Sequence, residues 1–146
     1  MEEIKRALKN SKIFKDLPDD AIDYLSNYIN LREFKKGRII FFEGDKGKIL
    51  YIIKSGKVSV IKKDSEGKER IMAILSEGDF IGEMALIEES ERSATCKAEE
   101  DTELLLFTKR AFDEIMENNP KIACIILREI TRVLSHRLRE TTEKIV

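Results

Sequence analysis

Residues 50–82 read LYIIKSGKVSVIKKDSEGKERIMAILSEGDFIG. The apolar runs at 50–53, 58–61 and 71–75 are short, rich in Ile and Val, and interrupted by glycine and charge. Runs of this kind are read as strands rather than helices. Gly56, Gly67 and Gly78 fall in the gaps, where tight turns need backbone angles that other residues resist. Ser65-Glu66-Gly67-Lys68 reads as an exposed hairpin turn. Outward from this stretch the pattern returns at 31–34, 39–42, 94–98 and 104–107, with Gly37, Gly44 and Gly47 in the first gaps. Many short strands at such spacing predict a mainly β chain, a sandwich or barrel rather than a parallel sheet.

Both ends change period. Residues 1–30 read as helical. Pro18 followed by Asp19 and Asp20 suits a helix start, because proline needs no donor there and acids favour the positive end. Ala21, Ile22, Leu25, Tyr28 and Ile29 then recur at helical spacing. Residues 109–117 predict a short helix with Phe112, Ile115 and Met116 inward. Pro120 opens a second helix towards Val146, about 39 Å long if unbroken. Its Ile122, Ile125, Ile126, Ile130 and Val133 form a stripe that packs on the strands. A second stripe, Leu127, Thr131, Leu134, Leu138, Thr141 and Ile145, alternates four and three apart, the seam of a two-stranded coiled coil. The alternative is one amphipathic helix lying wholly on its own core. A homodimer through this helix is the expectation. Residues 1–146 are expected to form a single domain, with a helical N-terminus at 1–30, a barrel at 31–107 and C-terminal helices at 108–146.

The 146 residues carry 27 Lys plus Arg against 28 Asp plus Glu, a net charge of -1, which predicts no general affinity for nucleic acid or anionic membrane. No apolar stretch approaches the ~20 residues that span a bilayer. The start, Met1-Glu2-Glu3-Ile4-Lys5, lacks the pattern of a signal peptide, so a cytoplasmic setting is expected. Glutamine is absent and Lys, Glu and Ile are abundant, which resembles thermophile usage. Cys96 and Cys124 lack metal-type spacing and are read as core thiols. His136, the only histidine, is read as a surface residue. One histidine supports neither a cupin-type metal centre nor a Ser-His-acid site, and no phosphate-loop or dinucleotide fingerprint occurs. The expectation is therefore no enzyme, no cofactor and no metal.

One segment departs from the strand pattern, Gly78-Asp79-Phe80-Ile81-Gly82-Glu83-Met84-Ala85-Leu86-Ile87 followed by Glu88-Glu89-Ser90-Glu91-Arg92-Ser93-Ala94-Thr95. Gly82 permits a close turn, and residues 83–87 fit one helical turn whose leading amides attract an anion. Arg92, nine residues after Glu83, could grip a phosphate with two charge-assisted hydrogen bonds. Spacing alone equally allows a simple Glu83–Arg92 ion pair at a barrel rim.

Lys36-Gly37, Gly44-Asp45, Tyr51, Ile53, Gly56, Val58, Val60, Gly67, Gly78-Asp79-Phe80, Gly82-Glu83, Leu86, Arg92, Ala94, Ala98 and Phe112 together decide more. With them the chain resembles the cyclic-nucleotide-binding domain of the catabolite-activator (Crp/Fnr) type of bacterial regulator, also found in cyclic-nucleotide-dependent kinases. The resemblance covers roughly residues 10–146. It implies a double-stranded β-helix or jelly-roll barrel, and a regulatory sensor for a cyclic mononucleotide, cyclic AMP ahead of cyclic GMP. It assigns Arg92, Ser93 and Ala85 to the phosphate, and Glu83, Gly82 and Met84 to the ribose. Thr141 and Thr142 match a hydroxyl pair that reaches the base, and also read as ordinary polar residues near a helix end. Glu91 departs from the proline that many relatives carry before the arginine. Relatives that regulate transcription continue into a helix-turn-helix domain, for which this sequence leaves no room, so no direct DNA binding is expected of these residues alone. The rival readings are a dimeric interaction module with a different ligand or none, and a regulatory domain of a transporter or channel.

Overall fold

The structure is a computed structural model that describes residues 1–145, with side chains described through residue 140. The N-terminal helices are α1 (Glu2–Asn10) and α2 (Asp19–Ser26). Pro18 caps α2, and Asp19 and Asp20 occupy its first turn, as the sequence led us to expect. α2 stops at Ser26, so Tyr28 and Ile29 reach the core from the turn that follows.

Ten strands follow: β1 (Asn30–Phe34), β2 (Ile39–Phe41), β3 (Lys46–Gly47), β4 (Ile49–Ser55), β5 (Val58–Lys63), β6 (Glu69–Leu75), β7 (Phe80–Ile81), β8 (Ser90–Glu91), β9 (Thr95–Ala98) and β10 (Thr102–Thr108). A 3₁₀ turn, Glu83–Leu86, lies between β7 and β8. The chain then forms α3 (Lys109–Asn118) and α4 (Pro120–Ile145). Mainly β structure between N-terminal helices and a long C-terminal helix is what the sequence predicted.

The strands build two four-stranded antiparallel sheets, ordered β1-β10-β4-β7 and β2-β9-β5-β6, and a two-stranded ribbon of β3 and β8. Side chains alternate across β4, and each face serves a different cluster. Leu50 and Ile52 join Leu105, Phe107 and the helices, whereas Tyr51 and Ile53 join Phe34, Phe41, Val58, Cys96 and Leu104 between the sheets.

Each C-terminal helix starts on a side-chain cap. The Thr108 hydroxyl accepts from the Ala111 N–H at 3.0 Å, and the Asn119 side-chain carbonyl accepts from Ile122 at 3.3 Å. Ile122, Ile126 and Ile130 are buried in the helical cluster, with Ile125, Val133 and Leu134 packed partly against it. Each fully buried aliphatic side chain contributes about 1.5–3 kcal/mol, so this stripe seats the first half of α4 firmly. The seam residues Leu127 and Leu138 are 39% and 68% exposed.

Two expectations are corrected. Cys124 is exposed, unlike buried Cys96, because it stands on the Leu127–Thr131 side of α4, turned away from Ile122 and Ile126. Met116 is 49% exposed because Ile115, fully buried, takes the inward place in the last turn of α3.

Candidate functional site

A cavity of about 360 Å³ opens where the 3₁₀ turn, the β8–β9 connection, the inner face of the second sheet and α4 meet. Pairing of β7 with β4, Tyr51 opposite Ile81 and Ile52 opposite Phe80, brings Gly82 to the sheet edge. Gly82 has φ of 85°, a left-handed angle that favours glycine, and caps the 3₁₀ turn. A side chain there would also strike the Arg92 guanidinium. The Ala85 N–H donates to the Gly82 carbonyl at 3.0 Å, closing the turn.

The β3–β8 ribbon and two backbone bonds fix Arg92. Its N–H donates to the Asp45 carbonyl at 2.7 Å, and its carbonyl accepts from Gly44 at 2.8 Å. The half-buried guanidinium donates from Nη2 to the Ile49 carbonyl at 2.7 Å. Its Cζ stands 4.3 Å from the Phe41 ring centroid and 5.7 Å from that of Tyr51. Burial pulls the Arg92 pKa down and Tyr51, Cys96 and Asp45 oppose it, but an arginine remains charged. Burial also pushes the neighbouring Cys96 thiol up to about 12, against the influence of Arg92, so it is a neutral wall of the cavity.

All six cassette residues singled out from the sequence, Gly82, Glu83, Met84, Ala85, Arg92 and Ser93, line this one cavity. Met84 and Ser93 are exposed, and Ala85 is buried. Glu83 is only 7% exposed. Its carboxylate accepts from Arg137 of α4, and the Arg137 Cζ lies 4.6 Å from the Phe80 ring centroid. The ion pair that spacing allowed between Glu83 and Arg92 is replaced by Glu83–Arg137, with Arg92 seated elsewhere. The side chains of Thr141 and Thr142 lie outside the described residues.

Sequence reasoning missed Arg137, Phe41 and Phe80 as parts of the site. Arg137 did leave a trace. The inward stripe Ile122, Ile126, Ile130 and Val133 next reaches position 137, where it offers a cation instead of an apolar side chain. Phe41 and Phe80 gave none, since an aromatic in a short strand reads as core.

A buried acid and a half-buried arginine facing one cavity between antiparallel sheets define a small-ligand-binding β domain. More narrowly, the chain belongs to the family described as the cyclic nucleotide-binding domain, whose sequence profile matches residues 31–119. The cyclic AMP receptor protein of Thermus thermophilus is 36% identical over 133 residues, 91% of this chain and 60% of that protein. The chain thus spans about three fifths of that relative's length. Among solved structures, the N-terminal domain of a transcriptional regulator from Streptomyces coelicolor A3(2) superposes with a TM-score of 0.82 at 27% identity. That match covers 96% of this chain and 95% of the other. The regulatory domain of Toxoplasma gondii PKA, crystallised with cAMP, gives 0.70 at 27% identity over 78% of this chain and 43% of that one.

Proposed function

We propose that this chain is a cytoplasmic sensor domain that binds a cyclic mononucleotide, cyclic AMP in preference to cyclic GMP, and passes occupancy to α4. The observation that carries the reading is the one cavity that gathers Arg92 and Glu83, with Glu83 already tied to α4 through Arg137. The singly charged cyclic phosphate sits against Arg92. Its bond to the Ile49 carbonyl uses one of the five guanidinium N–H groups, so the fork retains donors for phosphate oxygens. Ser93, exposed at the cavity, adds a hydroxyl, and Ala85 supplies wall. The ribose lies along Gly82 and Met84, and its free 2′-hydroxyl donates to Glu83.

That last contact gives the signal a physical route. The Glu83 carboxylate answers to both ribose and Arg137, so ligand changes how α4 is held. Only a difference in affinity between the two arrangements of α4 can shift its position. The base is assigned to Thr141 and Thr142 by their place in the sequence alone, since their side chains lie outside the described residues. We also read the two four-stranded sheets as the halves of a jelly roll, residues 1–146 as a single domain, and α4 as the dimer helix of a transcription regulator's effector domain. No catalysis is assigned to it, and DNA recognition is not assigned to these residues.

Calorimetric titration with cyclic AMP and cyclic GMP tests this, with an Arg92→Ala variant alongside. Micromolar binding that the variant loses supports the reading and ranks the two bases. Folded protein that binds neither nucleotide overturns it.

A further inference from the structure

We propose that Tyr51 and Phe41 are positioning residues for the phosphate anchor, holding the Arg92 guanidinium by its face so that its charge stays available to ligand. The inference rests on the reading of Arg92 as the phosphate-binding side chain and deepens it.

The two rings meet at a corner, with centroids 5.7 Å apart and planes inclined by 36°, and the Arg92 Cζ lies over both. On the opposite side the arginine runs against bare backbone. A Cβ built on Gly47 would stand 2.5 Å from the Arg92 Nε, so the lack of a side chain there makes the slot. The guanidinium is half-buried and has lost part of its hydration, which is the setting where attraction to a ring face is strongest. No carboxylate forms an ion pair with it among the described residues.

That choice of support has a consequence for binding. A carboxylate would fix the arginine equally well but would cancel much of its field, and an incoming phosphate would have to compete for the same donors. Aromatic faces hold the cation through their quadrupoles and leave its net charge and its edge donors free. Phe41 also lines the cavity, so its loss would act on ligand directly as well. Tyr51 does not line it and is 7% exposed, so its effect on affinity passes through Arg92.

The test compares wild type, Tyr51→Phe and Tyr51→Leu by two readouts. The first is the Arg92 Nε–H resonance in ligand-free protein, shifted upfield by the ring currents. The second is the calorimetric affinity for cyclic AMP. Wild type and Tyr51→Phe are expected to share the shifted resonance and the affinity. Tyr51→Leu is expected to lose the Tyr51 part of the shift, with Phe41 at 4.3 Å keeping its own, and to bind about five- to tenfold more weakly, while still unfolding cooperatively on heating. If Tyr51→Leu does not fold, Tyr51→Met takes its place in both measurements. A reduced shift with unchanged affinity overturns the positioning role. So does weaker binding with the resonance unmoved, which would mark a packing effect. Failure of wild type to bind either cyclic AMP or cyclic GMP overturns the ligand reading itself and the positioning role with it, a result visible before any variant is compared.

Discussion

Glu83 is a carboxylate with 7% of its surface exposed, and its described partner is a side chain from the far end of the molecule. A buried charge of this kind is retained only where hydrogen bonds and an opposite charge offset its lost hydration. In this chain Arg137 supplies the charge from α4, and under the proposed function a ribose hydroxyl adds a bond on ligand arrival. A hydrogen bond to a charged group is worth about 1.5–3 kcal/mol, roughly ten- to a hundredfold in affinity. Wild type is therefore expected to bind cyclic AMP more tightly than its 2′-deoxy analogue by roughly that factor. Glu83→Ala should bring the two ligands together, chiefly by weakening cyclic AMP. Parallel titrations of both nucleotides against both proteins check this, and persistent discrimination in Glu83→Ala would remove the ribose role. Arg92→Lys makes the complementary point. It keeps the charge but loses the planar fork and its stacking on Phe41, so affinity should fall about tenfold or more.

At the scale of elements, α1 and the segment after it are joined to the sheets by polar clips. The Lys12 N–H donates to the Gly78 carbonyl at 2.9 Å, and the Lys12 Nζ reaches Asp79 at 2.5 Å. The other Asp79 oxygen accepts from the Ser76 N–H at 2.9 Å, closing the turn between β6 and β7. Burial alone would raise the Asp79 pKa, but Lys12 and the Ser76 amide outweigh it and hold the carboxyl below its ordinary value of 3.8. A folded-state pKa below the unfolded one stabilises above the unfolded value and loses that contribution as pH falls through the folded one. Asp79→Asn should thus lower stability by about 1–2 kcal/mol near neutral pH, with the gap closing below about pH 4. Denaturant unfolding of both proteins across that range measures it, and a gap that did not depend on pH would assign the effect to geometry instead of charge. The elements also show what a sequence can and cannot reveal. Each of the seven strand candidates, at 31–34, 39–42, 50–53, 58–61, 71–75, 94–98 and 104–107, became a strand, since period and glycine punctuation are local properties. β3, β7 and β8 left no pattern, because two residues carry no period and these strands exist only through distant partners such as Lys46 opposite Glu91 and Tyr51 opposite Ile81. For the same reason the cassette residues were legible as a linear motif, whereas Phe41 and Arg137 joined the site only through tertiary placement.

Across the whole molecule, α4 carries two unlike faces. Ile122, Ile126 and Ile130 anchor one face in the helical core, and Arg137 continues that face to the cavity. The opposite face presents Cys124, Leu127 and Leu138 to solvent, on a stripe spaced for a partner helix. Leu134 lies between the faces and packs partly on its own core, so the seam is not independent of the anchor. Under the proposed function, an arrangement of this kind ties the cavity to assembly. On that reading, whatever turns α4 to suit ligand at Glu83 also turns Leu127 and Leu138 relative to a second copy. The face is expected to be covered by that copy, because a parallel partner meets it with the same four-and-three spacing. Leu127→Glu with Leu138→Glu should convert dimer to monomer in sedimentation equilibrium, since like charges would then oppose one another along an apolar seam. Both positions are exposed and away from the cavity, so the monomer should stay folded and still bind cyclic AMP. If the dimer is part of the sensing device, the monomer's affinity should change several-fold, by the free energy that links the two equilibria. Unchanged affinity in a true monomer would confine ligand recognition to one chain and leave α4 to act on assembly alone.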